Sequence, residues 1–599
     1  MEPLRRSARK VPIILLTLAL LLAGCSGTQD RLDSAVAEFA DALGRGDAPA
    51  AAALTDEEAA AMDTLSQLFA SLGTDVRFDV RSTQRQENTA TFTLDTVWRF
   101  GPEKLNEWTY TTEGRATEAD GNWTVEWAPD TVAPGLGEGP LSYSTLVPVP
   151  AARVLDRAGG ELLTQHIVTL VDVAPGVDVN AVAALLNPLA PTITPQSLSA
   201  DLAAAAGKPV TAITLREDDL TPIEEQLAAL PGVTLRPQTR LLATDRTLTS
   251  PTLAGLTELW QQRTDEAAGW AVSAQTAAGP RRVGGRDAEP VGDIASTLDI
   301  SAQLAAEAAL APLTTPATIV ALQPSTGDVL VVAQNAAADA QGPIALTGLY
   351  PPGSTFKTVT VSAALQSGQV TSDSVVACPG TENIEGRQIP NDDNFDLGQV
   401  PLHTAFARSC NTTMGRLAVN LPPDGLTRAA AQLGLGIDFV APGMTTVTGS
   451  VPVADTSAAR VEAGIGQGKV TATSFGMALV AATLARGSVP APTIVDGEPG
   501  VPDRTPEPLP SAVDMQVRAM MRETITDGTA TQLQDIPDLL GKTGTAEYSA
   551  GQGDDQHAHG WFVGIHGDLA LAVFVSDAGT SAPAVDAAGR FLRAAGQMS

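Results

Sequence analysis

Cysteine is nearly missing: three residues in 599, too few for a zinc ribbon or a disulfide-dense scaffold. Aromatic side chains supply only 4% of the sequence, so Leu, Val, Ile and a great deal of Ala must fill the cores. Histidine occurs five times, and no strand–G-x-S-x-G–helix elbow accompanies it, which disfavours a Ser-His-Asp hydrolase. Basic residues number 37 against 68 acidic ones, a net charge of −31. That field repels phosphate backbones and excludes a general nucleic-acid binder. No run reaches the roughly 18 uncharged apolar residues that a membrane-spanning helix needs.

What is present is enough to fold. Hydrophobic residues make up 44% and charged residues 18% of the chain. At ~150 residues per domain the length predicts about four units. Arg5, Arg6, Arg9 and Lys10 form a positive patch ahead of an apolar stretch over residues 11–23. This stretch is shorter than the ~30 Å hydrocarbon core, so it reads as a secretory signal over residues 1–25. It ends Leu22-Ala23-Gly24-Cys25, which resembles the lipobox of bacterial lipoproteins. The resemblance implies a diacylglycerol on the Cys25 thiol. The chain is then expected on the extracytoplasmic face of a bacterial cell membrane, held there by its lipid.

Apolar residues at Leu32, Val36, Phe39 and Leu43 fall at helical spacing, and Val76, Phe78, Val80 and Phe92, Leu94, Trp98, Phe100 alternate as strands do. A small α+β domain is expected over residues 26–134. Pro134, Gly135, Gly137, Gly139 and Pro140 predict a linker, followed by a pedestal or dimerisation domain over 135–293. From residue 294 the texture changes. Buried-strand runs at Ile319-Val320-Ala321-Leu322 and Val329-Leu330-Val331-Val332 flank a Pro-Ser-Thr-Gly-Asp turn. Trp561 to Ile565 and Leu569 to Val575 form a second strand pair, before a terminal helix. Strands at both ends of 294–599 with helices between predict a central antiparallel sheet covered by helices. The fold class is therefore multidomain α+β.

Three motifs carry chemistry. In Pro351-Pro352-Gly353-Ser354-Thr355-Phe356-Lys357, an i,i+3 spacing stacks Ser354 and Lys357 on one face of a helical turn. A serine hydroxyl is a poor nucleophile until a base takes its proton. No histidine is near in sequence, so Lys357 is the candidate base, which requires its amine to be neutral part of the time. The spacing alone proves little, since Ser7-Ala8-Arg9-Lys10 shares it. Ser409-Cys410-Asn411 places a hydroxyl and an amide two apart on a turn. Lys542-Thr543-Gly544-Thr545 fits the inner edge of a strand, where a glycine lets a substrate backbone lie close. Two of the chain's lysines (10, 104, 208, 357, 469, 542) thus fall inside motifs.

S-x-x-K, S-x-N and K-T-G in this order resemble the signature of penicillin-binding proteins and serine β-lactamases. Gly466-Gln467-Gly468 and Gly560-Trp561-Phe562-Val563-Gly564 add to the resemblance, which is to a class B penicillin-binding protein of the lipoprotein type. Its C-terminal domain is expected to have the penicillin-binding/β-lactamase-like fold, and the N-terminal α+β domain resembles the cone-shaped, transport-factor-like domain of such proteins. Thr473-Ser474-Phe475 departs from the Thr-Pro-Leu often found there, and Cys410 fills a variable position.

The resemblance implies a D,D-transpeptidase that cross-links peptidoglycan stem peptides through an acyl-enzyme on Ser354. Lys357 acts as base, Ser409 relays a proton, Asn411 holds the donor amide, and Lys542 supplies positive potential. Thr543, Gly544 and Thr545 receive the terminal carboxylate, with the backbone N–H of Ser354 and Thr545 as oxyanion hole. β-Lactams acylate the same serine. No cofactor and no metal is implied, and a glycosyltransferase of the cell-wall machinery is the expected protein partner. A D,D-carboxypeptidase, a β-lactamase of the same fold and a non-catalytic peptidoglycan-binding scaffold are the alternatives. The long N-terminal half disfavours the first two, and the unbroken motifs disfavour the third. His557 and His559, lacking a partner cluster, are expected in surface or packing roles. With Cys25 lipidated, Cys378 and Cys410 remain. An oxidising compartment permits either a bridge bracing the loop of Ser409 and Asn411 or two buried free thiols.

Overall fold

The computed structural model describes residues 23–549 and 556–596. The expected signal segment therefore lies outside the described residues, except for its last three positions, whose side chains, Cys25 included, are not described. Among the described residues no helix is long and apolar enough to cross a membrane.

The chain forms two compact units, and both are discontinuous in sequence. The first comprises residues 1–151 and 263–291. Its helices Ala23–Gly44 and Glu58–Leu72 pack on a four-stranded antiparallel sheet whose strands follow chain order, from Val76–Gln86 to Asn122–Glu126. The helical-spacing set Leu32, Val36, Phe39 and Leu43 is wholly buried. Trp98 sits in this core and donates from Nε1 to the Tyr110 hydroxyl (2.9 Å), which donates on to the Val132 carbonyl (2.8 Å).

The proline- and glycine-rich stretch after residue 133 is not a linker. Val132, Ala133 and Leu136 are buried in the same core. Beyond it Leu141–Leu146 pairs with Gly269–Thr276, which pairs in turn with Gly279–Arg286. The segment expected as one domain over 135–293 is therefore divided. Its two ends build a sheet of the first unit, while residues 152–262 belong to the second.

The second unit comprises residues 152–262 and 292–599. Its first part is a mixed sheet centred on Glu161–Val173, which pairs antiparallel with Val210–Arg216 and Val233–Ala243. The rest is built on a five-stranded antiparallel sheet. In chain order its strands are β1 (Ala317–Leu322), β2 (Val329–Gln334), β3 (Leu540–Ser549), β4 (Gln556–His566) and β5 (Leu569–Val575). The spatial order is β2-β1-β5-β4-β3, so the two predicted strand pairs join between β1 and β5. Every residue of β1 and β2 is buried, because helices cover both faces. Ile300–Leu310 and Ala582–Ala595 share a core with one face. Ser474–Arg486 packs on the sheet as well, its Ser474 Oγ lying 2.6 Å from Thr318 Oγ1. β3 is left as an edge strand.

Candidate active site

Ser354 lies on a 3₁₀ turn, Gly353–Phe356, which runs directly into the helix α1 (Lys357–Gln366). A 3₁₀ turn eclipses i and i+3, which sets Ser354 and Lys357 in one row, although the hydrogen bonds of Lys357 Nζ go to Ser409 and Asn411 and none joins it to Ser354 Oγ. The turn depends on Gly353, whose φ is +51° and whose N–H donates to the Gly466 carbonyl (3.0 Å). A Cβ at Gly353 would lie 2.4 Å from the Thr545 carbonyl oxygen. The Ser354 turn is thus pressed against β3, which brings the first and third motifs together.

The second motif sits between Leu402–Ala407 and the helix α2 (Asn411–Val419). Ser409 adopts φ +62°, a left-handed conformation that costs a non-glycine residue roughly 1 kcal/mol or more. Its carbonyl accepts from Lys357 Nζ (2.7 Å), and its Oγ lies 3.2 Å from the same nitrogen. Asn411 Oδ1 accepts from Lys357 Nζ at 2.6 Å. Lys542, reaching across from β3, donates to Ser409 Oγ (3.0 Å) and to the Thr543 carbonyl (2.9 Å). Its ammonium stands 5.6 Å from the centre of the Phe406 ring, within cation–π range. Ser409 Oγ is the point on which both lysines converge.

Both amines are wholly buried, and burial disfavours their charged forms. The Lys357 amine is held well below the usual lysine range, first by desolvation and then by the Lys542 charge, with Asp392 opposing. Burial lowers Lys542 to about 7. A neutral amine can make the contacts of Lys357. Two N–H bonds go to acceptors that cannot donate, the Ser409 carbonyl and the Asn411 side-chain oxygen. The lone pair is then free to take a hydroxyl proton.

Thr543 Oγ1 lies 2.6 Å from Thr529 Oγ1, and Gly544 faces the Ser354 turn. A Cβ there would meet Thr355 Cγ2 at 2.9 Å and the Pro352 carbonyl at 3.0 Å. Trp561 Nε1, from β4, donates to the Pro351 carbonyl (3.0 Å) and ties the turn to the sheet.

Of the two readings left open for Cys378 and Cys410, the structure has the bridge: the two are disulfide-bonded, with Cα atoms 6.1 Å apart. His557 Nδ1 pairs with Asp577 (2.7 Å), and His559 is buried beside Tyr548, which stacks on it at 4.3 Å. Burial lowers His559 to about 4.

Sequence reasoning missed Asn391, Asp392, Phe406 and Thr529. None belongs to a motif, and Asn391-Asp392 reads only as part of a turn.

Comparison with known proteins matches residues 317–594 to the penicillin binding protein transpeptidase domain and residues 33–140 to an NTF2-like N-terminal transpeptidase domain. Residues 317–594 are a penicillin-binding protein transpeptidase domain. Relatives similar to the chain include three peptidoglycan D,D-transpeptidases. The peptidoglycan D,D-transpeptidase PbpA of Mycolicibacterium smegmatis is 30% identical over 307 residues, 44% of this chain and 62% of that one. PbpA of Mycobacterium tuberculosis is 29% identical over 287 residues, 41% and 58% of the two chains. The peptidoglycan D,D-transpeptidase MrdA of Acinetobacter baumannii is 25% identical over 340 residues, 48% and 50% of the two. The chain thus spans about three-fifths of the PbpA relatives it matches. A crystal structure of the D,D-transpeptidase domain of a peptidoglycan glycosyltransferase from Eggerthella lenta aligns with a TM-score of 0.45 at 25% identity, over 55% of this chain and 95% of that one. The transpeptidase domain holds all three motifs, and the NTF2-like match covers the transport-factor-like α+β domain expected from the sequence.

Proposed function

We propose that this chain is a serine-type D,D-transpeptidase that cross-links peptidoglycan stem peptides. The observation that carries the reading is the convergence of two buried lysines on one hydroxyl, Ser409 Oγ, beside a serine whose turn is fixed against the K-T-G strand.

In the acylation step Ser354 Oγ attacks the carbonyl of the penultimate D-Ala, and Lys357 Nζ takes the hydroxyl proton. The negative oxygen of the tetrahedral intermediate falls to the backbone N–H groups of Ser354 and Thr545; a donor of this kind is typically worth about 3–4 kcal/mol. The C–N bond then breaks. The proton passes from Lys357 through Ser409 Oγ to the departing D-Ala amine, leaving the ester on Ser354. An amine from a second stem peptide enters the same space and gives its proton back along that path. It forms the new amide and frees the serine. Lys542, Thr543 and Thr545 hold the donor's terminal carboxylate, while Asn411 Nδ2, whose partner here is the Pro390 carbonyl (2.9 Å), turns to the donor amide.

β-Lactams acylate Ser354 by the same attack and leave slowly. Lipid on Cys25 anchors the protein on the extracytoplasmic face of the membrane, beside a glycosyltransferase that supplies the glycan strands.

Gel labelling with a fluorescent penicillin tests the reading. Wild type is expected to give a band that Ser354→Ala loses. An unlabelled wild-type protein would sink the acyl-enzyme claim, and a band persisting in Ser354→Ala would move it to another nucleophile.

A further inference from the structure

Asn391 lies outside every motif, yet it is 3% exposed and uses every hydrogen-bonding group it has. Its Oδ1 accepts from the backbone N–H of Asn411 (2.8 Å) and of Thr412 (3.2 Å). Its Nδ2 donates to the carbonyls of Pro379 (2.9 Å) and Phe395 (2.8 Å) and lies 3.4 Å from Cys378 Sγ. The first two bonds satisfy N–H groups at the start of α2 that have no partner within a helix. The local cap position cannot serve, because Cys410 makes no side-chain cap bond and its sulfur is in the disulfide. Asn391 therefore supplies from a distant loop the cap that the helix lacks. The first residue of that helix is Asn411, whose Oδ1 stands 2.6 Å from Lys357 Nζ.

We propose that Asn391 is a positioning residue for acylation, fixing the start of α2 so that Asn411 Oδ1 and the Ser409 carbonyl hold the Lys357 amine. This inference rests on the acyl-enzyme reading above. The geometry favours it over a purely structural role for Asn391. The disulfide already closes Cys410 onto Cys378, so the loop stays tethered without the amide. The amide adds direction to the turn, because it bonds the two N–H groups that orient Asn411. Misplacement of a catalytic group by about 1 Å costs up to ~100-fold in rate.

The charged groups acting on Lys357 are Lys542 from β3 and Asp392 from the loop that carries Asn391. The carbonyl oxygens of Ser409 and Asn411 stabilise its ammonium form. Removing their alignment lowers the amine's pKa further, whereas a new carboxylate nearby raises it.

The test is the pH dependence of acylation by a fluorescent penicillin in full-length wild type, Asn391→Ala and Asn391→Asp. Asn391→Ala is expected to acylate about 10–100-fold more slowly, with the acid limb of its profile moved to lower pH. Asn391→Asp keeps an acceptor for the two N–H groups, gives up the two bonds that Nδ2 donates to Pro379 and Phe395, and adds charge. It should recover part of the rate and move the limb to higher pH. A structural role alone would shrink the labelled fraction of both variants with the limb in place, and that result overturns the proposal. So does a crystal structure of Asn391→Ala with Asn411 Oδ1 still bonded to Lys357 Nζ, whatever the labelling shows. Wild type that is not acylated at all overturns the acyl-enzyme reading instead, and the proposal with it.

Discussion

Two lysines approach the same hydroxyl oxygen, and neither has any exposed surface. Such a pair is costly to fold, which makes it the clearest mark of function at the scale of single residues. A lysine titrating near 7 in the fold and near 10.5 when unfolded takes up a proton on unfolding at every pH between. Stability therefore rises with pH across that window, and the cost is complete below it. For Lys542 this is on the order of 4 kcal/mol near neutrality, partly offset by its bonds to Ser409 and Thr543. Lys542→Met is accordingly expected to be more stable than wild type at pH 7 by about 1–3 kcal/mol, while labelling falls at least ~100-fold. The gain should fade by pH 10. Urea unfolding at the two pH values measures it, and a Met variant weaker than wild type at both would contradict the desolvation argument. The motif residues were legible because their chemistry follows from residue type and short spacing. Asn391 was not, because its role exists only after a distant helix start has folded onto it.

At the scale of elements, the site is the meeting of one turn, one loop and one edge strand. The strands were legible from their apolar runs and turn signals, whereas of most helices between them only the presence was read. The 3₁₀ form of the Ser354 turn was not, since Gly353 packs against the Thr545 carbonyl of β3, a contact that local sequence does not announce. Gly544 tests how close that approach must be. A methyl group there meets Thr355, the Pro352 carbonyl and Trp561 at 2.9–3.0 Å, tighter than side chains tolerate. Gly544→Ala should push the turn off the strand. The expected loss is about 1–3 kcal/mol of stability together with at least a tenfold drop in acylation. Gly292→Ala, with no neighbour within 4 Å, is the control and should match wild type in both thermal melting and labelling. Equal acylation by Gly544→Ala and wild type would show that the turn does not need this contact.

The whole molecule was the least legible level. Leu141–Leu146 finds its partner in Gly269–Thr276, with the whole of residues 152–262 intervening and no local pattern to announce the pairing. A Pro/Gly-rich stretch reads as a boundary whether it is exposed or, as here, flanked by buried Val132 and Leu136. Charge, by contrast, is a whole-molecule property that sequence states outright, and it bears on the proposed anchor. A net charge of −31 repels an anionic membrane surface, so charge opposes the lipid rather than assisting it as polybasic segments assist single acyl chains. Attachment would then rest on acyl chains alone, a hydrophobic force that ionic strength barely alters. Wild type in membrane fractions is accordingly expected to resist a 1 M salt wash and to come off in detergent. Cys25→Ala, processed without its lipid, should appear almost wholly in the soluble fraction at any salt concentration. Retention of Cys25→Ala on membranes at low salt, with release at high salt, would point to an electrostatic tether and away from lipid on Cys25.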